Sequence, residues 1–235
     1  MQNSIKDITA IVVSHNTRDL LQNAIKSVRK FHPDMKIMII DGSDKTDPCY
    51  SYAISLASDV TDVYPCGYNI GHGRGMHMGI KECETKFALI FDSDIVMLKS
   101  PVQKMLDMME PDTYGVGYLE KSAYDGYEYG AKPQHKNQPF MYMLHPFFHL
   151  LQISEYYKFA PYVHHGAPCF KAARDIHLKG LTDKIIKRFP GLGHTHGKGF
   201  VWSAVPGEWI KHDTAGTRKS RVKRGKQEIE QGWEL

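Results

Sequence analysis

"ITAIVVSHN", residues 8–16, is a run of β-branched and apolar residues that stops at three polar ones. A strand with one face in water alternates apolar and polar side chains. An unbroken apolar run is instead expected of a strand buried on both faces, as in a parallel sheet covered by helices. The next segment reads as a helix: Asn16 is placed to cap it, Asp19 suits its first turn, and Leu20, Leu21, Ala24, Ile25, Val28 and Phe31 form one apolar face.

The pattern then repeats. "KIMIIDGSD" (36–44) is a second buried strand ending in turn chemistry, "DPCYSYAISLAS" (47–58) a short helix, and "VTDVYP" (60–65) a short strand stopped by Pro65. A glycine-rich stretch leads into a helix reaching about Glu84. "KFALIFDSD" (86–94) is the next strand, and Ser100-Pro101 opens another helix that carries Val102, Met105, Leu106 and Met109 inward. Strand–helix alternation with short turns predicts an α/β fold with a parallel, doubly wound sheet over residues 8–110.

The second half is less regular. "YGVGYLE" (114–120) suits a strand, and residues 121–146 read as a long excursion. "PFFHLLQISEYYKF" (146–159) has helical spacing, and "AARDIHLKG" (172–180) is a short helix ended by Gly180. With no internal repeat and no linker, residues 1–235 read as one domain. Residues 1–110 form a regular α/β half, 111–217 an irregular half and 218–235 a basic tail.

Composition narrows the class. The chain has 235 residues, 42% apolar and 24% charged, enough for an ordinary core. Its four cysteines (Cys49, Cys66, Cys83, Cys169) are too scattered for a zinc site and predict reduced thiols in a cytoplasmic protein. There is no signal-peptide pattern, and no apolar segment approaches the roughly 20 residues that cross a bilayer. The net charge is +4, but "RKSRVKRGK" (218–226) concentrates six basic side chains. Such a run is a solvated tail, or it meets an anionic ligand, a membrane surface or a nucleic acid.

In open parallel sheets, ligands collect beyond the carboxyl ends of the strands. Three ends carry polar groups here: Ser14-His15-Asn16, Asp41-Gly42-Ser43-Asp44 and Asp92-Ser93-Asp94. Two aspartates interrupting the apolar "LIFDSDIVML" (89–98) need compensation, because an unpaired buried carboxylate is costly. A shared hard cation would supply it. So would a turn cap at Asp92 and an ion pair from Asp94 to a lysine such as Lys99.

"ITAIVVSHN", "IMIIDGSDKTD", "YNIGHGRGMHMGI" and "FALIFDSDIVM", in that order and spacing, resemble the nucleotide-sugar domain of family 2 glycosyltransferases. The resemblance covers residues 8–100 and continues weakly to about 220. It implies the GT-A fold, a mostly parallel twisted sheet flanked by helices. It also implies transfer of a sugar from a nucleoside-diphosphate sugar, expected to be a UDP-sugar, to an acceptor hydroxyl with inversion. By that resemblance Ser14, His15 and Asn16 meet the nucleobase and Asp41 hydrogen-bonds the uracil. Asn69 and Gly71 lie near the ribose and diphosphate. Met76 and His77 stand where the family has Arg-Asn; His77 is kept among the donor-binding residues, and Arg74 or His72 would take over the diphosphate contacts. Asp92 and Ser93 face the ribose, and Asp92 and Asp94 hold a divalent ion.

"EWIKHDTAGTR" (208–218) resembles the family's segment with a third metal ligand, here His212, followed by Thr217 and Arg218 near the diphosphate. Two carboxylates and an imidazole suit manganese better than magnesium. No Glu-Asp pair lies between 160 and 200 to supply the family's usual base. His194 or His196 of "GHTHG", then Asp183, are the candidates, and a retaining mechanism stays open. The expected acceptor is a saccharide or lipid-linked saccharide. A DNA base, held through the 218–226 run, is the alternative acceptor. A non-catalytic nucleotide-sugar binding module is the alternative function, and a cytoplasmic chain, peripheral at a membrane, is the expected location.

Overall fold

The computed structural model describes residues 3–126, 129, 133–135, 138–163, 167–192, 195–196, 202–203 and 208–212. The strands are β1 (Ile8–Ser14), β2 (Lys36–Asp41), β3 (Thr61–Pro65), β4 (Phe87–Asp92), β5 (Ile95–Met97), β6 (Gly115–Ala123), β7 (Phe140–Gln152), β8 (Ile186–Arg188), β9 (Thr195–His196), β10 (Trp202–Ser203) and β11 (Ile210–His212). The helices are α1 (Arg18–Phe31), α2 (Pro48–Ser55), α3 (His72–Lys81), α4 (Val102–Asp107), α5 (Ile153–Tyr156), α6 (Phe170–Leu178) and α7 (Thr182–Ile185).

A seven-stranded sheet runs in the order β3-β2-β1-β4-β7-β6-β8. The pairs among β3, β2, β1 and β4 are parallel, β7 is antiparallel to both neighbours, and β8 is parallel to β6. Every strand of this sheet but β7 therefore points the same way. The chain works outward from β1 to β3, then returns through α3 to β4 on the other side of β1. That reversal opens a crevice between the carboxyl ends of β1 and β4, the place where such sheets bind ligands.

The unbroken apolar runs are explained by burial on both faces. Along β1, Ala10 and Val12 pack with α1 and α4 residues such as Leu21, Val28 and Met105, whereas Ile11 packs with Met76 and Ile80 of α3. Contact between α3 and β1 is close because Gly75 and Gly79 face the sheet: a Cβ at Gly79 would lie 2.5 Å from Ile11 Cγ2, and one at Gly75 2.7 Å from Val13 Cγ1.

Two expectations are corrected. Residues 146–159 are mostly strand, not helix: β7 is 13 residues long, and only Ile153–Tyr156 turn helical. Phe147, Phe148, His149, Leu150 and Leu151 are all buried, since β7 lies between β4 and β6 with helices over it. A strand buried on both faces shows no period-2 signal, so its apolar spacing mimics a helix. The supposed 121–146 excursion shrinks accordingly, because β6 runs to Ala123 and β7 starts at Phe140. Asn16 is also not the cap of α1. Thr17 occupies that position, and Asn16 adopts φ 54°, a left-handed conformation that asparagine tolerates.

Candidate active site at the carboxyl edge of the sheet

β4 ends at Asp92, and the short turn through Ser93 and Asp94 leads into β5. β5 pairs antiparallel with β11 in a register that sets His212 opposite Ile95. This three-residue pairing brings together groups 118 residues apart: His212 Nε2 lies 3.1 Å from Asp94 Oδ1, and 3.6 Å from Asp92 Oδ2. One ligand atom from each of Asp92, Asp94 and His212 lies within 4.8 Å of the other two. The His212 ring stacks on Phe147, with centroids 5.0 Å apart and planes 10° from parallel, which fixes its orientation. Two carboxylates and an imidazole, all more than four-fifths buried, form a donor set that fits a divalent cation.

The first residue of α3 adds a second imidazole. His72 Nε2 lies 3.0 Å from Asp92 Oδ1. Burial would raise the Asp92 carboxyl, but His72, then His212 and His145, hold it well below the ordinary carboxylate range. Burial would likewise lower His72, yet the charge and hydrogen bond of Asp92, with help from Asp94, raise it. Both directions describe one ion pair. Lys99, the expected alternative partner of Asp94, pairs with Glu208 instead, at 3.3 Å.

At the ends of β1 and β2 the polar groups converge differently from expectation. Asp41 is fully buried. Its Oδ1 accepts from Ser14 Oγ at 2.6 Å and Ser43 Oγ at 2.8 Å, with Cys49 Sγ at 3.6 Å, and its Oδ2 accepts from Ser43 N–H at 3.3 Å. So held, the carboxylate organises the loop that joins β2 to α2. Ser43 Oγ accepts from Asn16 N–H at 2.8 Å, and His15 Nδ1 lies 2.8 Å from the Gly42 carbonyl. The Asn16 and Asp44 side chains meet through Asp44 N–H to Asn16 Oδ1 at 3.2 Å and Asn16 Nδ2 to Asp44 Oδ2 at 3.4 Å.

The remaining expected residues divide. Ser93 is buried, its Oγ 3.3 Å from Thr17 Oγ1, tying the aspartate turn to the start of α1. Asn69 Oδ1 accepts from Gly71 N–H at 3.0 Å, and Gly71 takes φ 81°, which only glycine adopts at low cost. Arg74 is exposed on the first turn of α3. His77 is not brought to the site: five residues beyond His72 it is turned about 140° round the helix, and its Nδ1 lies 2.8 Å from the Tyr156 hydroxyl. Asp183 is also elsewhere. It is exposed on α7, just before β8, and β8 runs parallel to β6, so Asp183 stands at the amino edge of the sheet. His194, Thr217, Arg218 and the 218–226 run lie outside the described residues. His196 is described by its backbone alone, in β9 paired with β10.

Behind the cluster, His149 is fully buried on β7. Its Nδ1 donates to the His145 carbonyl at 3.0 Å, which leaves Nε2 an acceptor, and Nε2 has no hydrogen-bond partner among the described residues. Burial pushes this imidazole down to about 4. Between about pH 6.5 and 4 the unfolded chain therefore binds a proton here that the folded chain refuses, and stability falls as pH drops through that window. A displacement from 6.5 to about 4 corresponds to at most roughly 3 kcal/mol. His149→Asn is expected to flatten that part of the stability–pH curve, measured by urea unfolding at pH 7, 5.5 and 4. An unchanged slope refutes the assignment.

Similarity to known proteins points the same way. Residues 9–176 match the model of the glycosyl transferase family 2 domain. A 110-residue stretch is 27% identical to beta-1,4 N-acetylgalactosaminyltransferase 1 of Mus musculus, over 45% of this chain and 19% of that protein; the Rattus norvegicus protein matches equally. The chain thus spans about a fifth of the length of these relatives.

Among solved structures, GalNAc-T7 with UDP, GalNAc and Mn2+ superposes with TM-score 0.55 at 13% identity, over 72% of this chain and 40% of that one. The mannosyltransferase PcManGT of Pyrobaculum calidifontis, in complex with GDP-Man and Mn2+, gives TM-score 0.56 at 10% identity, over 79% and 55%. S. aureus TarS 1–349 gives 0.52 at 13%, over 77% and 57%. These likenesses show the GT-A fold. The family match covers well over half of the chain, and the protein belongs to glycosyl transferase family 2.

Proposed function

We propose that the chain transfers a sugar from a nucleoside-diphosphate sugar, of the UDP type, to a hydroxyl of a saccharide or lipid-linked saccharide, with inversion. The observation that carries this reading is the convergence of Asp92, Asp94 and His212 at the crevice between β1 and β4. These three side chains would hold a divalent cation, manganese in preference to magnesium because one donor is an imidazole. When bound, that cation supplies Lewis-acid stabilisation of the charge developing on the departing diphosphate. His72 supports Asp92 from the side of α3, and Phe147 holds the His212 ring in place. The nucleobase would lie against His15, Asn16 and Asp44 at the ends of β1 and β2, with the Asn69–Gly71 loop beside the ribose. The nucleotide complexes of the solved neighbours support this class of donor. No comparison supports a nucleic-acid acceptor, and no described helix is long and apolar enough to cross a membrane.

A thermal-shift panel of UDP, UDP-GalNAc, UDP-glucose, GDP-mannose and GDP, each with and without Mn2+, tests the donor. A ligand at 100 times its Kd stabilises by about 2.7 kcal/mol, which for a chain of this size is a rise of roughly 5–10 °C. The expected result is such a rise with UDP compounds and Mn2+ together, abolished by EDTA. A Tm unmoved by every combination overturns the reading.

A further inference from the structure

Transfer with inversion needs a group that takes the acceptor's proton, and the expected candidates do not supply one among the described side chains. The structure points to another, an inference that rests on the glycosyltransferase reading above. β4 pairs with β7 through Phe148–Gln152, so the segment of β7 from Phe140 to Phe147 overhangs the carboxyl edge where Asp92 lies. There it pairs with Leu119–Ala123 of β6 across an irregularity at Tyr118. Bulges of this kind re-aim side chains beside active sites.

Glu120 sits on β6 beside that overhang, opposite Met143 of β7, and is 6% exposed. A carboxylate this buried needs a partner. His145 Nε2 lies 3.6 Å from Glu120 Oε2. The Phe147 backbone N–H donates to His145 Nδ1 at 3.3 Å, which places the ring proton on Nε2, the nitrogen turned to Glu120.

The pair belongs to the metal cluster's surroundings. The His145 and His212 rings both pack on Phe147, at centroid separations of 5.2 and 5.0 Å. Burial first, and then the charges of both Asp92 and Glu120, push the Cys169 thiol at the start of α6 well above its ordinary value. Glu155 pairs with Lys158 and Asp175 with Lys179, Asp125 is half-exposed against His135, and Asp183 is at the opposite edge.

We propose that Glu120, positioned by His145, is the general base of the acceptor side. In the step it serves, the acceptor oxygen bonds to the anomeric carbon as the bond from that carbon to the diphosphate oxygen breaks. The diphosphate departs with the electron pair, and the acceptor's proton passes to a Glu120 oxygen.

The test measures nucleoside-diphosphate release from UDP-GalNAc, UDP-glucose and GDP-mannose with Mn2+, water serving as acceptor, for the full chain, Glu120→Gln and Glu120→Ala. Glu120→Gln is expected to keep the UDP–Mn2+ thermal shift of the unaltered chain and to lose about 10²–10⁴-fold in release. Added formate is expected to restore part of the release in Glu120→Ala, because a small carboxylate can enter the vacated space and accept the proton. Release within threefold of the unaltered chain, loss of the thermal shift together with release, or no response to formate overturns the proposal. If the unaltered chain shows neither shift nor release, the glycosyltransferase reading itself fails, a result separate from either variant's.

Discussion

Asp94→Ala is expected to lower sugar transfer by about 10³-fold or more, the scale of a lost metal contact in transition-state stabilisation, while leaving the fold intact. Asp94 stands in the turn between β4 and β5, outside the apolar core, and its main neighbour is the imidazole of His212. Removing it reduces a three-donor set to two and leaves His212 with Asp92 at 3.6 Å. It also removes one of two carboxylates held close together, so the cost in stability is small, within about 1 kcal/mol. Mn2+ affinity by calorimetry and product formation should fall together, with Tm falling by no more than about 4 °C. A fully active, metal-stimulated Asp94→Ala chain contradicts the assignment.

Gly79→Val should act in the opposite way, on the fold before the chemistry. A Cβ at this position meets Ile11 Cγ2 at 2.5 Å and Ile40 Cγ1 at 3.4 Å, both from fully buried strand residues with nowhere to retreat. Overpacking of this kind costs about 3 kcal/mol, roughly 6–12 °C of Tm at this chain length. Because α3 also carries His72 to Asp92, pushing the helix off the sheet moves that imidazole as well. Donor affinity is expected to fall along with stability. A variant that keeps its Tm would show that α3 does not depend on this close approach.

These particulars explain which parts of the fold are legible in the sequence. β1, β2 and β4 stand out because each is an unbroken apolar run ended by polar turn residues, and the helices between them carry ordinary amphipathic faces. β7 does not. Its central residues are buried on both faces and include Pro146 and His149, so no alternation marks it as a strand and the proline argues against one.

The site divides along the same line. Asp92 and Asp94 are legible as carboxylates set at the end of an apolar run. His212 is legible only through a resemblance, since its approach depends on a three-residue pairing across 118 residues. Asp41 lies at the expected strand end, but its surroundings are not legible: donors from Ser14, Ser43 and Cys49 enclose it, and none of those contacts shows in a linear pattern. Glu120 and His145 give no signal at all. Their meeting is fixed by the register of an overhanging hairpin with an irregularity at Tyr118.

If one divalent ion, held by Asp92, Asp94 and His212, carries the donor's diphosphate, that ion must sense both an imidazole nitrogen and a phosphorus nucleus. Pulsed electron paramagnetic resonance of Mn2+ bound to the chain with UDP reads both at once. The expected spectrum shows, on a single ion, an imidazole 14N coupling and a 31P coupling, with the nitrogen coupling alone lost in His212→Ala. A bound Mn2+ that lacks the nitrogen coupling, or that keeps it in His212→Ala, rules out this arrangement of ligands.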